Sequence, residues 1–456
     1  IASLPTELVE TLLALSDNLI YESRILIEDA FEDTSNYSDP DVNSCHGIFL
    51  RQTSGVGKSK SLSKQFAINL QLMEMEPRPH QLEFAQFIER SLEAPLDVTT
   101  FIEAPTGIGK TFGYLLPLLA QTQDKIVVSV PTKVLQDQIM EKEAQLIKET
   151  FQISFHSLKS PQNYLKLDAF YQTLHELEEN RLLNRFKMQL LVWLTQTQTG
   201  DLNEVGQLHR YANFVHRIRH DGNLSKKSLF YREDFWRKGQ EYAKSSRVLL
   251  TNHAYLLTRL EDDPSLVENR VLVVDEAQKL YFSLEQFSRA SLSMADCMVE
   301  LQREIETEKS LLKRRILESL QFELNALVKR LDDGGRKLEL DGEQVQKIRQ
   351  DLFELDVPKL SSLKELFHSR YQVFWLDRIQ EESHQVLRLH SGRDTLVSIQ
   401  DFIPESTRVL MVSATLAISR KVNLAAILGV TNYQFLGTEI NFHQGQKIFI
   451  NREFPD

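Results

Sequence analysis

Ala104-Pro105-Thr106-Gly107-Ile108-Gly109-Lys110-Thr111 decides the reading of this 456-residue chain. Two glycines let backbone N–H groups turn inward around an anion, and a helix opening near Lys110 adds the positive end of its dipole. A lysine and a hydroxyl at the loop's end suit a polyphosphate: Lys110 reaches the β/γ-phosphates and Thr111 binds Mg²⁺. Ala104 stands where the strict pattern has glycine. Context separates this loop from a glycine turn with an incidental lysine. The β-rich run Thr99–Glu103 precedes it, an apolar helical stretch Thr111–Gln121 follows, and Lys125–Val130 reads as the next strand. That strand–loop–helix–strand order is one βαβ unit and predicts an α/β fold with a parallel sheet covered by helices. Gly55-Val56-Gly57-Lys58-Ser59 has a similar ending, but Gln52 fills its first-glycine position and no apolar helix follows; it reads as linker.

The second informative stretch is Val271-Leu272-Val273-Val274-Asp275-Glu276-Ala277-Gln278. An apolar strand ending in two carboxylates puts them at the carboxyl edge of a parallel sheet, where ligands of such folds bind. Asp275 is the expected second magnesium residue and Glu276 the group that orients and deprotonates an attacking water. Alone, this is a solvated acidic turn; beside the phosphate loop it becomes half of a nucleotide site. Lys110, Asp275 and Glu276 are thus the expected catalytic residues. Ala104, Pro105, Thr106, Gly107, Ile108, Gly109, Lys110 and Thr111 are the expected nucleotide-binding ones.

Lys110 and Asp275 are 165 residues apart, and Asp275 and Ser413 a further 138. One βαβ unit needs about 30 residues, so two modules interrupt the sheet. Leu177, Leu182, Phe186, Leu190 and Leu194 mark a helix in the first. Leu312, Ile316, Leu320, Leu324, Leu327 and Leu331 mark a longer one in the second. The expected organisation is an N-terminal helix and linker over 1–75, motor segments at 76–156 and 246–283, and mostly helical insertions at 157–245 and 284–372. The return to the motor occupies 373–456.

Composition narrows the class further. Charged residues are 26 % and hydrophobic ones 42 %, with 53 Lys+Arg against 64 Asp+Glu for a net charge of −11. This is ordinary globular usage. An acidic total does not exclude a local basic channel, because screening confines each field to about 10 Å. No apolar run approaches the eighteen residues of a membrane span. Two cysteines, Cys45 and Cys297, fit a reducing compartment, hence a cytoplasmic expectation, and exclude a four-thiolate metal site within this chain. The histidines show no metal-ligand spacing. His209, Arg210, Tyr211, Phe214, His216, Arg217, Arg219 and His220 mix bases with aromatics, as single-strand contacts do, but a solvated helix with core aromatics is the favoured reading.

Assembled, these residues resemble the DinG-type DNA helicases of the XPD-like branch of superfamily two, from about Arg78 to Asp456. The resemblance implies a RecA-like P-loop motor domain. Arg78-Pro79-His80-Gln81 is similar to the adenine-reading segment, which makes Gln81 the base contact. Pro131-Thr132-Lys133 with Leu135 and Gln138 resembles the motif that touches a single-strand backbone. Leu158–Leu165 resembles the segment opening the cluster domain. Thr251-Asn252-His253-Ala254 matches the signature ahead of the acidic box, and Ser413-Ala414-Thr415-Leu416 the motif linking nucleotide state to DNA grip. Thr132, Asn252, His253, Gln278, Ser413 and Thr415 are accordingly the expected nucleic-acid and coupling residues. Lys166 follows Asn163-Tyr164-Leu165 where cluster-bearing members have cysteine, so no iron–sulfur cluster is expected. Gln278 replaces a frequent histidine.

The resemblance implies ATP, Mg²⁺ and single-stranded nucleic acid, DNA in this family, as ligands, with no membrane partner. It also implies an upstream exonuclease domain, because Ile1–Ile27 resembles the stretch just after such a domain in Gram-positive relatives, and a second motor domain beyond Ile448–Asp456. The chain so read is a motor fragment that binds ATP without efficient turnover. The competing reading is a nucleotide-switched single-strand-binding module that regulates an attached 3'-5' exonuclease without unwinding.

Overall fold

The computed structural model describes residues 8, 12, 41–52, 60–176, 180–335, 337–355, 360–381, 384–393, 398–416 and 423–437. Of the expected N-terminal helix only Leu8 and Leu12 fall among them, both helical and buried; the glycine–lysine ending at 55–59 and the segment 438–456 lie outside.

A seven-stranded sheet organises the motor. Its strands are β3 (Thr99–Glu103), β4 (Lys125–Val130), β5 (Phe155–Ser157), β6 (Val248–Asn252), β7 (Arg270–Asp275), β12 (Arg408–Ser413) and β13 (Tyr433–Gly437). Their spatial order is β13-β3-β12-β7-β4-β6-β5, with every pairing parallel. Parallel sheets need both faces covered, which is why the central strands β7 and β12 carry the apolar runs Val271–Val274 and Val409–Val412, whereas the edge strands β5 and β13 are only partly buried. Val271 and Val273 point into one layer with Ile126, Val128, Leu410 and Val412. Leu272 and Val274 point into the other with Val127, Val409 and Met411. Helices such as Pro79–Ser91 and Lys110–Gln121 cover the first face; His253–Asp262 and Leu280–Phe287 cover the second.

Two further cores lie outside the sheet. The first insertion gathers Tyr164, Leu165, Phe170, Phe186, Leu190, Leu194 and Phe235. Leu8, Leu12 and an antiparallel hairpin of β1 (Val42–Cys45) and β2 (Ile48–Arg51) pack into that same core. Residues 42–51 are therefore not linker. His46 and Gly47, with φ of 51° and 81°, turn the hairpin tightly. Leu182 and Leu312, read as stripe residues, are exposed instead; Phe186, Leu190 and Leu194 carry the first stripe, and Leu317, Leu320, Leu324, Leu327 and Leu331 the second.

The second insertion is only partly helical. Its long helix Leu311–Gly334 packs over a four-stranded antiparallel sheet ordered β8-β11-β10-β9, built from Arg289–Ser293, His384–Gly392, Val373–Glu381 and Lys337–Glu339. Its core joins Leu320, Leu324 and Ile348 to Phe374, Leu376 and Leu389. The hairpin β10–β11, expected beyond 372 as part of the motor, pairs with β8 and β9 and so belongs to this insertion. The chain rejoins the motor core near Ile399.

Candidate nucleotide and nucleic-acid site

Parallel strands end on one edge, and strand order fixes which loops meet there. β12 lies between β3, which leads into the phosphate loop, and β7, which ends in Asp275. Ser413 is level with Glu103 across one pairing, and Val412 with Asp275 across the other. Loops separated by more than a hundred residues are brought together this way.

Within the phosphate loop, Gly107 and Gly109 have φ of 81° and 85°, the left-handed region that glycine enters without strain. Gly109 caps the helix beginning at Lys110, as expected. A Cβ on Gly109 would stand 2.4 Å from Gln81 Nε2. Gln81 itself is buried and donates to the Gly109 carbonyl at 3.0 Å; Arg78 Nη1 donates to that of Gly107 at 2.7 Å. Both brace the loop from outside. Gln81, the expected base contact, is thus engaged with the loop. Ala104 is fully buried, its N–H bonded to the Ser413 carbonyl at 2.8 Å. Pro105 and Ile108 are buried too, while Thr106 and Gly107 are exposed and Thr111 is half-buried.

Lys110 Nζ donates to Glu276 Oε1 at 2.8 Å. Gln278 Nε2 donates to Glu276 Oε2 at 2.7 Å, and Ser413 Oγ lies 2.7 Å from Gln278 Oε1. Ser413 Oγ also meets Thr415, accepting from its N–H at 3.1 Å. The result is a continuous polar row, Lys110–Glu276–Gln278–Ser413–Thr415, across three strand ends. Glu276 sits at φ 51°, a left-handed conformation uncommon for a side-chain-bearing residue. Burial opposes its charge, but hydrogen bonds and attraction from Lys110, with help from Gln278 and Lys279, hold its carboxyl below the ordinary range.

Asp275 behaves in the opposite way. Burial pushes its carboxyl up to about 6, with Lys110 opposing and Glu276 reinforcing the rise. Its oxygens accept from the Glu276 N–H at 2.9 Å and from the buried Tyr114 hydroxyl at 3.4 Å. Lys110 acts on both carboxylates, while Lys279 reaches Glu276 alone at 3.9 Å. The Asp275 carboxylate and the Thr111 hydroxyl are oxygen donors with the hard-donor chemistry that magnesium takes. The residues fit the metal on that ground.

The expected coupling residues divide between surface and interior. Thr132 is exposed, and its side chain caps the helix Lys133–Ile139 by accepting from Leu135 N–H. Lys133, Val134 and Gln138 on that helix are exposed as well, and Thr415 is exposed. Asn252 is buried and caps the helix His253–Asp262; His253 is completely buried, with Nδ1 2.8 Å from Ser129 Oγ. Burial drives the His253 imidazole down to about 3, so it is neutral at any physiological pH. These two act from inside. In the first insertion, Phe214 is core and Tyr211 stacks on Phe186 at 4.3 Å, while His209, Arg210, His216, Arg217 and Arg219 face outward.

Sequence reading missed Gln136, whose buried amide donates to Ser157 Oγ, the Leu158 carbonyl and the Leu250 carbonyl at 2.9, 3.1 and 3.1 Å. It also missed Tyr114 behind Asp275. Gln136 carries a weak local signal: it sits inward on an amphipathic turn where an apolar residue belongs.

Residues 79–177, which include the phosphate loop and the helix Lys133–Ile139, match the DEAD/DEAH box helicase family. Among curated proteins the chain is similar in sequence to those named DinG. It is similar to the 3'-5' exonuclease DinG of Staphylococcus saprophyticus subsp. saprophyticus, 28 % identical over 411 residues, covering 80 % of this chain and 44 % of that protein. The Bacillus subtilis (strain 168) protein of the same name is 32 % identical over 238 residues, covering 50 % of this chain and 25 % of its own length. The chain therefore spans less than half the length of these curated relatives. Among solved structures it is similar to a truncated XPD, 17 % identical with a TM-score of 0.47 over 78 % of this chain and 99 % of that one. No helix among the described residues is long and apolar enough to cross a membrane.

Proposed function

We propose that this chain is a motor segment of an ATP-dependent helicase, coupling Mg-ATP binding and hydrolysis to single-stranded DNA binding and translocation. The observation that carries the reading is the 2.8 Å pair between Lys110 and Glu276, made by two loops that only the parallel strand order brings together. The loop's N–H groups and Lys110 hold the substrate's phosphates. Thr111 and Asp275 would hold magnesium, which neutralises phosphate charge when bound. Glu276 accepts the proton of the attacking water. Without substrate its carboxylate is occupied by Lys110, so phosphates that draw Lys110 away also release the base. Gln278 carries that change to Ser413 and Thr415.

Nucleic acid is assigned to the exposed face around Thr132, Lys133, Val134 and Gln138, where Lys133 supplies phosphate-neutralising charge. The test is Glu276→Gln. The amide keeps the hydrogen-bonding shape but is not a base, so Mg-ATP affinity persists while hydrolysis by the full-length protein falls about a hundredfold or more. Undiminished hydrolysis would reject Glu276 as the base. Strand separation by the full-length protein on a forked duplex supports a motor; single-strand binding that tracks nucleotide without strand separation supports a switch.

A further inference from the structure

The first insertion joins the motor through a buried charge cluster that the proposed chemistry does not use. Lys159 lies on the connection between β5 and the insertion, with its side chain 4 % exposed. Its ammonium contacts two carboxylates from different modules: Asp137 Oδ1, on the motor helix Lys133–Ile139, and Asp201 Oδ2, inside the insertion, both at 2.5 Å. Burial works against the charge, yet the two carboxylates keep the ammonium more firmly protonated than usual. Asp201 is fully engaged: its other oxygen accepts from Asn203 N–H and Nδ2 at 2.9 Å, and its backbone bridges to Tyr164. The Tyr164 hydroxyl in turn accepts from Lys159 N–H at 3.1 Å. Beside this cluster, Lys133 Nζ donates to Asn163 Oδ1 of the insertion at 2.7 Å.

The motor side of the seam leads inward. Asp137 is next to Gln136, whose amide ties the helix to the end of β5 and the middle of β6 and accepts from Asn252 Nδ2 at 3.3 Å. Asn252 begins the helix that places His253 against Ser129 and beside the backbone of Asp275 and Glu276. Polar contacts, linked by the adjacent pairs Asp137–Gln136 and Asn252–His253, thus run from the insertion, through the helix assigned to nucleic acid, to the acidic box. We propose that Lys159, with Asp137 and Asp201, is a positioning interlock that fixes the insertion to this helix and makes nucleotide affinity respond to single-stranded nucleic acid. Two modules that move as one transmit a contact; two that slip do not. The inference rests on the proposed function, a nucleotide site that depends on nucleic acid.

Asp137→Asn is the informative variant, because Asp137 is the most exposed member and its loss leaves Lys159 paired with Asp201. Lys159→Met would strand two carboxylates at the seam and endanger folding, so Lys159→Arg, which keeps the charge, serves as the conservative control. The measurement is Mg-ATP affinity of the chain with and without an oligothymidylate, alongside the thermal midpoint. Wild type is expected to change affinity on adding the oligonucleotide. Asp137→Asn should keep its nucleotide affinity without DNA and its midpoint, but lose about fivefold in that response, with Lys159→Arg retaining most of it. An unchanged response in Asp137→Asn overturns the interlock alone. Equal loss of affinity without DNA marks a merely structural role and also overturns it. A wild-type chain indifferent to oligonucleotide rejects the underlying reading, and the interlock with it.

Discussion

Asp275→Asn should stabilise the nucleotide-free protein while disabling it. The carboxyl is buried and held at about 6, against an ordinary value of 3.8. Keeping it as an anion at pH 8 therefore costs the fold about 3 kcal/mol. Asparagine removes that cost. Its amide also disrupts one of the two bonds Asp275 accepts, from Glu276 N–H or from the Tyr114 hydroxyl, which returns about 1 kcal/mol. The net gain is about 2 kcal/mol at pH 8. Its direction with pH follows from a folded-state value above the ordinary one. The proton on Asp275 stabilises the native wild type fully below 3.8, and that contribution is lost as pH rises through 6. At pH 5 most wild-type molecules carry the proton, so the variant's advantage shrinks towards zero. The assay is thermal unfolding of both proteins without nucleotide or magnesium at pH 5 and pH 8. A variant midpoint several degrees above wild type at pH 8, with near coincidence at pH 5, is expected. A variant equally destabilised at both pH values would refute the idea that the acidic box stores ionic strain in the absence of metal.

Gly109→Ala should cripple the phosphate loop, because a side chain at φ 85° costs about 1–2 kcal/mol and its Cβ collides with Gln81 Nε2. Nucleotide titration should show at least about a tenfold loss of affinity, and wild-type affinity would contradict the observed loop geometry. A third prediction concerns Glu261, on the helix His253–Asp262, which accepts from Arg370 Nη1 at 2.6 Å and Arg393 Nη2 at 2.5 Å. These arginines flank the hairpin β10–β11 of the second insertion, so Glu261→Ala leaves Arg393 without its carboxylate and Arg370 with Glu365 alone. We expect a loss of about 2 kcal/mol and faster proteolytic cleavage around this hairpin. An unchanged digestion pattern would show that the apolar packing alone holds that insertion.

The site was legible where its chemistry is local. Residues 104–111 announce a phosphate loop because adjacent backbone amides do the binding, and Asp275-Glu276 stand out because a strand of four apolar residues ends in charge. The contacts between them were not legible. Gln278 and Ser413 are 135 residues apart, and their meeting depends on β12 lying between β3 and β7, an order that no local pattern encodes. The same limit hid the sheet of the second insertion, where β11 pairs β8 across about a hundred residues. Short strands such as Lys337–Glu339 have too few residues for alternation to show. Val42–Arg51 was lost for a different reason: Asp, Asn and Ser resemble loop composition, while the signal lay in the turn His46-Gly47 and the run Ile48-Phe49-Leu50 docked on the first insertion.

The most direct test of the central claim is a titration of Mg-ATP onto wild type and Lys110→Ala, each with and without single-stranded DNA. Saturable binding that shifts with DNA in wild type, and is lost in Lys110→Ala, is the result expected of a nucleic-acid-responsive ATP motor. Equal binding by the two proteins, or none by wild type, would contradict it.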